Sequence, residues 1–180
     1  MLIKADRSCL LVVDIQDRLL PAMAAPERVI ANATLLLKAA ARLVIPVLAS
    51  EQYPKGLGHT EVSVAALLPK GAVVEKMHFS CVGDDGFCLR FGELGRSQAV
   101  VVGMETHVCV LQTVLDLLGR GTEVFVVADA VSSRTEESRQ MALERMRQAG
   151  ARIVTAEMVA FEWLARAGTP EFKDISKLVK

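Results

Sequence analysis

An excess of charge of one sign is missing from this chain. Its 180 residues carry 21 Lys+Arg against 21 Asp+Glu, a formal net charge of zero, so it has no electrostatic footprint of a nucleic-acid or anionic-membrane binder. Long apolar runs are absent as well. Lys38, Arg42, Glu105 and Asp116 interrupt the apolar stretches well before the ~18 residues a membrane span requires. Cysteine is scarce: Cys9, Cys81, Cys88 and Cys109 are too few and too unpatterned for a disulfide framework. Residues 1–7 bear charges where a signal peptide would need its apolar region. These absences lead us to expect a reduced, cytoplasmic protein with no nucleic-acid and no membrane partner. Repeats and low-complexity tracts are missing too.

Apolar residues make up 52% of the chain, too many for a disordered polymer. The length is that of one domain, 1–180, able to bury about two-thirds of its unfolded surface. Short β-rich runs at 10–14, 46–50, 72–75, 99–103, 123–128 and 152–155 alternate with helical periodicity at 26–43, 84–94, 106–118, 136–149 and 157–165. The segment 51–70, rich in Gly, Pro and His, reads as an irregular loop long enough to be functional. The alternation predicts an α/β fold: a doubly wound, Rossmann-like parallel six-stranded sheet, order 3-2-1-4-5-6, with helices on both faces. No Gly-x-Gly-x-x-Gly follows the first strand, where Asp14-Ile15-Gln16-Asp17 stands, which argues against a dinucleotide site.

In that order strands one and four adjoin at the switch point, and ligands bind beyond their carboxyl ends. Asp14, Lys76 and Cys109 then fall along one sheet edge. Cys109 stands three residues past Thr106, a good N-cap, so its sulfur would meet the positive end of a helix dipole. That position lowers a thiol pKa and favours the thiolate. Free N–H groups of the same turn can bind a developing oxyanion. The position equally suits a small apolar residue packed beneath the sheet. Asp14 reads either as a half-buried carboxylate that needs a cation or as a loop hydrogen-bonder, and Lys76 either as that cation or as a solvated strand-end charge. Together a thiol, a base and a cation are the parts of nucleophilic catalysis.

Three motifs carry a resemblance. They are Glu51-Gln52-Tyr53-Pro54-Lys55-Gly56-Leu57-Gly58, then Thr106-His107-Val108-Cys109-Val110-Leu111-Gln112-Thr113, then Val126-Val127-Ala128-Asp129-Ala130-Val131-Ser132-Ser133-Arg134. With Asp14-Ile15-Gln16 and Lys76 followed by Ser80, the chain resembles the isochorismatase-like cysteine hydrolase superfamily, closest to its small isochorismatase domain-containing hydrolases. The resemblance implies that Asp14 is the base, Lys76 the organising cation and Cys109 the nucleophile of a covalent mechanism. It also implies a cis peptide between Met104 and Glu105 that aims the Glu105 and Cys109 N–H groups at one oxyanion.

The chain departs from its relatives in two places. The nicotinamidases of that superfamily hold a metal through an Asp-x-His pair and a later His, whereas Ser50-Glu51-Gln52-Tyr53 and a lone His59 stand here. Too few ligands remain for a metal, and no cofactor is expected. True isochorismatases lack the cysteine, so Cys109 favours amide-like C–N hydrolysis of a small molecule. Gln16, Tyr53, Phe79 and Phe87 are candidate substrate contacts, the aromatics being equally at home as packing residues. His78 reads as a surface residue and His107 as packing or solvent-facing. Trp163, with Phe161 and Leu164, and the tail 172–180 are expected to dock on a neighbouring subunit of a homodimer or larger homo-oligomer. The competing reading is an inactive member of the family kept as an interaction or scaffold protein.

Overall fold

Strand β1 (Ser8–Val13) is buried along its whole length, as its unbroken Cys-Leu-Leu-Val-Val run dictates for a strand covered on both faces. The computed structural model describes residues 1–179. Five more strands join β1: β2 (Val47–Gln52), β3 (Val73–Lys76), β4 (Gln98–Met104), β5 (Glu123–Ser132) and β6 (Arg152–Val154). All pairings are parallel, and the order is β3-β2-β1-β4-β5-β6. The expected doubly wound sheet is therefore present.

Alternation along the strands divides the core in two. Leu10 and Val12 of β1, Val100 and Val102 of β4, and Phe125 and Val127 of β5 face one layer. That layer is closed by helices α1 (Pro26–Leu43), α7 (Ala156–Leu164) and α8 (Pro170–Ile175), while α2 (Pro54–Leu57) and α3 (Val62–Ala65) are single turns after β2. Cys9, Leu11, Val13, Ala99, Val101, Val124 and Val126 face the other layer. It is closed by α4 (Asp85–Glu93), α5 (Leu111–Gly119) and α6 (Glu136–Gln148). Helix α1 begins on Pro26, whose missing N–H costs nothing there. It turns Val29, Ala33, Leu36, Leu37 and Ala40 inward at helical spacing.

Several boundaries shift, and each shift matters at the carboxyl edge. β1 stops at Val13, and Asp14 leaves the strand with φ at 50°, a region aspartate tolerates better than most residues. β2 runs on to Gln52, so Glu51 and Gln52 are strand residues rather than loop. β5 continues to Ser132, because its register against β4 jumps from Val126 opposite Val101 to Val131 opposite Gly103. The expected helix from Thr106 begins as a π-helical turn, Thr106–Val110, before α5 takes over at Leu111.

Gly103 pairs with Val13 across the β1–β4 contact. A Cβ there would lie 1.9 Å from the Val13 carbonyl oxygen, and its φ is +131°, so only glycine fits.

Part of the expected docking face turns inward. Trp163 and Leu164 are buried in the first core layer, and the tail folds onto its own chain. Phe172 packs against Phe161 with ring centroids 6.4 Å apart, and Arg42 of α1 pairs with Glu171 at 2.9 Å and Asp174 at 2.8 Å. Trp163 and Leu164 are thus spent on the chain's own core, while Phe161 of the same helix stays exposed. Lys180, the last residue of that expected tail, lies outside the described residues. Among the described residues no helix is long and apolar enough to cross a membrane.

Candidate active site

The carboxyl ends of β1, β2 and β3 bring four polar side chains into contact. Register does much of this: Val13 pairs with Ser50, and Gln52 pairs with Lys76. The turn at Asp14, anchored by its N–H donating to the Ser50 carbonyl at 3.1 Å, swings its carboxylate over the sheet edge. Ser50 Oγ donates to Asp14 Oδ1 at 2.7 Å, and Lys76 Nζ donates to Asp14 Oδ2 at 2.7 Å. The same ammonium donates to Gln52 Oε1 at 2.8 Å and to the carbonyls of Phe79 at 3.1 Å and His78 at 3.3 Å. Burial alone would discharge Lys76. The Asp14 carboxylate opposes it by charge and hydrogen bond, and the ammonium is held above its ordinary range.

Cys109 reaches this cluster from the π turn. Cys109 is 6% exposed, and its thiol lies close enough to the Asp14 carboxylate to feel its charge. Burial pushes the thiol up, the facing Asp14 carboxylate pushes it further, and Lys76 offsets only part of this. The expected dipole-lowered thiol is thus reversed. A sulfur out of water beside a carboxylate keeps its proton, and the dipole of a single turn does not outweigh both effects. The expected N-cap is missing too: Glu105 occupies the capping position with no side-chain cap bond. Thr106 is fully buried, and its hydroxyl has no partner among the described residues. The Met104–Glu105 peptide is cis. The Glu105 carbonyl accepts from the N–H groups of Val108 at 3.1 Å and Val110 at 3.2 Å, on either side of Cys109.

The other candidates spread out. Gln16 is fully buried, and its amide donates to the carbonyls of Gln52 at 3.1 Å and Gly58 at 2.7 Å while accepting from the Gln52 N–H at 2.8 Å. These bonds tie Gln16, just past β1, to the end of β2 and to Gly58. Tyr53, exposed and at φ 38°, lies over Gly56, where a Cβ would come within 2.4 Å of its ring. Phe79 is exposed beside its Lys76-bound carbonyl. Phe87 is 2% exposed and stacks on Phe91 with centroids 5.9 Å apart, which makes it a core residue. His59 spends Nδ1 on Glu51 at 2.9 Å, and Glu51 also accepts from Thr60 N–H and Oγ1, both at 2.7 Å. Among the described residues no three His, Cys, Asp or Glu side chains are grouped to hold a metal ion.

Sequence reasoning gave no role to Ser50, Gln52 and Cys81, although all three belong to the cluster. Cys81 Sγ lies 3.4 Å from Ser50 Oγ, and its buried thiol is raised by desolvation and then by Asp14. The available signal was a buried central strand ending in Ser-Glu-Gln, since polar residues at alternate positions place Ser50 and Gln52 on one face.

The matches with known proteins run the length of this architecture. An isochorismatase domain model matches residues 8–158. Isochorismatase domain-containing protein 2A of Mus musculus is 39% identical, the match covering 97% of this chain and 84% of that protein. The secreted isochorismatase effector Isc1 of Phytophthora sojae is 42% identical over 96% of this chain and 84% of its own. Among solved structures, the MAR1 ribonuclease of Caenorhabditis elegans superposes with a TM-score of 0.93 at 36% identity, covering 99% of this chain and 92% of that one. Family model, relatives and fold agree: this chain belongs to the isochorismatase family, whose fold is that of a hydrolase.

Proposed function

We propose that the chain is a cysteine-dependent hydrolase of a small amide-like substrate, working through Asp14, Lys76 and Cys109. The observation that carries this reading is the buried Asp14 carboxylate, pinned on one oxygen by Ser50 and on the other by Lys76, with its charge felt by the buried Cys109 thiol. Because that thiol is protonated at rest, its proton passes to Asp14 as sulfur attacks the carbonyl carbon. The carbonyl π bond opens to an oxyanion, which the Glu105 and Cys109 N–H groups receive. The tetrahedral species collapses, the C–N bond breaks, and the amine leaves with the proton from Asp14. Water then adds to the thioester with Asp14 as base, releasing the acid and restoring the thiol. Lys76 keeps its charge throughout and holds Asp14 in place.

The name of the C. elegans neighbour points to RNA. Zero net charge and a thiol–carboxylate pair suited to carbonyl addition favour the small amide for this chain. Self-association belongs to the same proposal. With Trp163 and the tail committed inward, Met141, Met158 and Phe161 are among the apolar side chains left exposed, and light scattering measures the assembly.

p-Nitrophenyl acetate, followed by a screen of small amides, ureas and carbamates, tests the chemistry. The wild type should release a burst of nitrophenolate matching the protein and carry an acetyl group on Cys109 by intact mass. Cys109→Ala should show neither, and Asp14→Asn should acylate about 100-fold more slowly. An acyl adduct that persists in Cys109→Ala, or none in the wild type, defeats the reading.

A further inference from the structure

We propose that Ser133 and Arg134 clamp the turn carrying the oxyanion donors, with Arg134 the positioning residue that fixes Glu105; the claim rests on the reading just given. Both residues belong to the third motif of the sequence, to which that reading assigns no part. The register jump between β4 and β5 brings them within reach. Met104 pairs with Ser132, so the next residues of each strand leave the sheet side by side. Arg134 Nε donates to Glu105 Oε2 at 2.8 Å and Nη2 to Oε1 at 3.1 Å. This two-pronged geometry fixes orientation as well as distance. One residue earlier, Ser133 Oγ lies 2.9 Å from His107 Nδ1, and the Ser133 carbonyl accepts from the Ala24 N–H at 2.9 Å.

The two grips fall on either side of Thr106. That is where the turn lacks a hold of its own, since the Thr106 hydroxyl is unpartnered and no side chain caps the turn. The ion pair also differs from an ordinary surface bridge. Glu105 has a side chain 8% exposed, so its carboxylate needs a partner, while Arg134 comes in from a position 66% exposed. A guanidinium at the rim therefore sets the orientation of the buried residue to which the proposed mechanism assigns an oxyanion donor. Arg134 touches no reacting atom in this scheme.

Two reagents separate aiming from general damage. p-Nitrophenyl acetate needs the oxyanion site, because acylation passes through a tetrahedral intermediate. Iodoacetamide alkylates the same sulfur by displacing iodide and forms no oxyanion. Arg134→Ala should slow the acetylation burst about 10- to 100-fold and leave Cys109 alkylation within about threefold. Arg134→Lys, which keeps the charge but loses the fork, should recover part of the burst rate. Ser133→Ala should give a smaller loss of the same kind. An unchanged burst in Arg134→Ala overturns the clamp, and so does an equal fall in both reactions. Absence of any Cys109-dependent burst in the wild type would instead defeat the hydrolase reading. Hydrogen exchange then decides the clamp on its own. Faster exchange confined to residues 104–110 in Arg134→Ala supports it, and unchanged exchange there overturns it.

Discussion

Lys76 Nζ lies 2.7 Å from Asp14 Oδ2, and neither side chain has any exposed surface. Removing one partner of such a pair leaves an uncompensated buried charge, which costs about 3–5 kcal/mol, whereas removing both costs far less. Lys76→Met should therefore lose about 3–5 kcal/mol of unfolding free energy. The double variant Asp14→Asn, Lys76→Met should recover at least half of that loss. Urea midpoints at constant slope provide the measurement. A loss below about 1 kcal/mol in the single variant would mean that the carboxylate has another way to be satisfied.

Ser50 holds the other carboxylate oxygen from inside the sheet. A hydrogen bond to a charged group contributes about 1.5–3 kcal/mol, and Ser50→Ala should destabilise the fold by that amount. With Lys76 still in place, Asp14 stays near the thiol but is free to rotate. The acylation burst should slow about tenfold while reagent binding stays near wild type. A wild-type burst rate in Ser50→Ala would assign the whole positioning of Asp14 to Lys76.

Gly103 stands opposite Val13 where β4 pairs with β1. In Gly103→Ala the added methyl group meets the Val13 carbonyl, backbone that cannot rotate away. The loss should be about 4 kcal/mol or more, or failure to fold. Gly92 is a fair control, because nothing lies within 4 Å of a Cβ built there. A thermal melt that ranks Gly92→Ala below Gly103→Ala would contradict the packing described.

The sheet was legible because buried parallel strands and amphipathic helices differ in period. The strand order followed from the handedness of crossovers and the switch-point rule. The meeting of Asp14 with Lys76 followed in turn, since both stand at carboxyl ends. What escaped was whatever depended on the last residue or two of a strand. Gln52 joins the cluster because β2 runs two residues further than expected, and Arg134 comes beside Glu105 because β5 changes register. Neither departure changes the pattern of apolar residues. The state of Cys109 also escaped, because a dipole argument from spacing cannot foresee a carboxylate brought to the thiol by a distant strand. Trp163 was placed on a helix face whose partner turned out to be the same chain.

Buried thiols give the fold an alkaline weakness. Cys9 is fully buried with Sγ 3.6 Å from the Gln98 carbonyl, and burial moves it from 9.0 up to about 12. Cys81 and Cys109 are raised in the same direction, each chiefly by burial. Below the ordinary thiol value the folded and unfolded chains both hold these protons, and the thiols add no pH dependence. Above it the unfolded chain releases protons that the folded chain retains, so stability falls by up to about 1.4 kcal/mol per pH unit for each thiol. For Cys9 the fall spans about pH 9 to about pH 12. Urea unfolding at about pH 8 and about pH 11 should show the wild type losing more than Cys9→Ala, whose alkaline slope is one proton shallower. The baseline cost of the small cavity cancels when each protein is compared with itself at the lower pH. Parallel slopes in the two proteins would mean that Cys9 already ionises in the folded state.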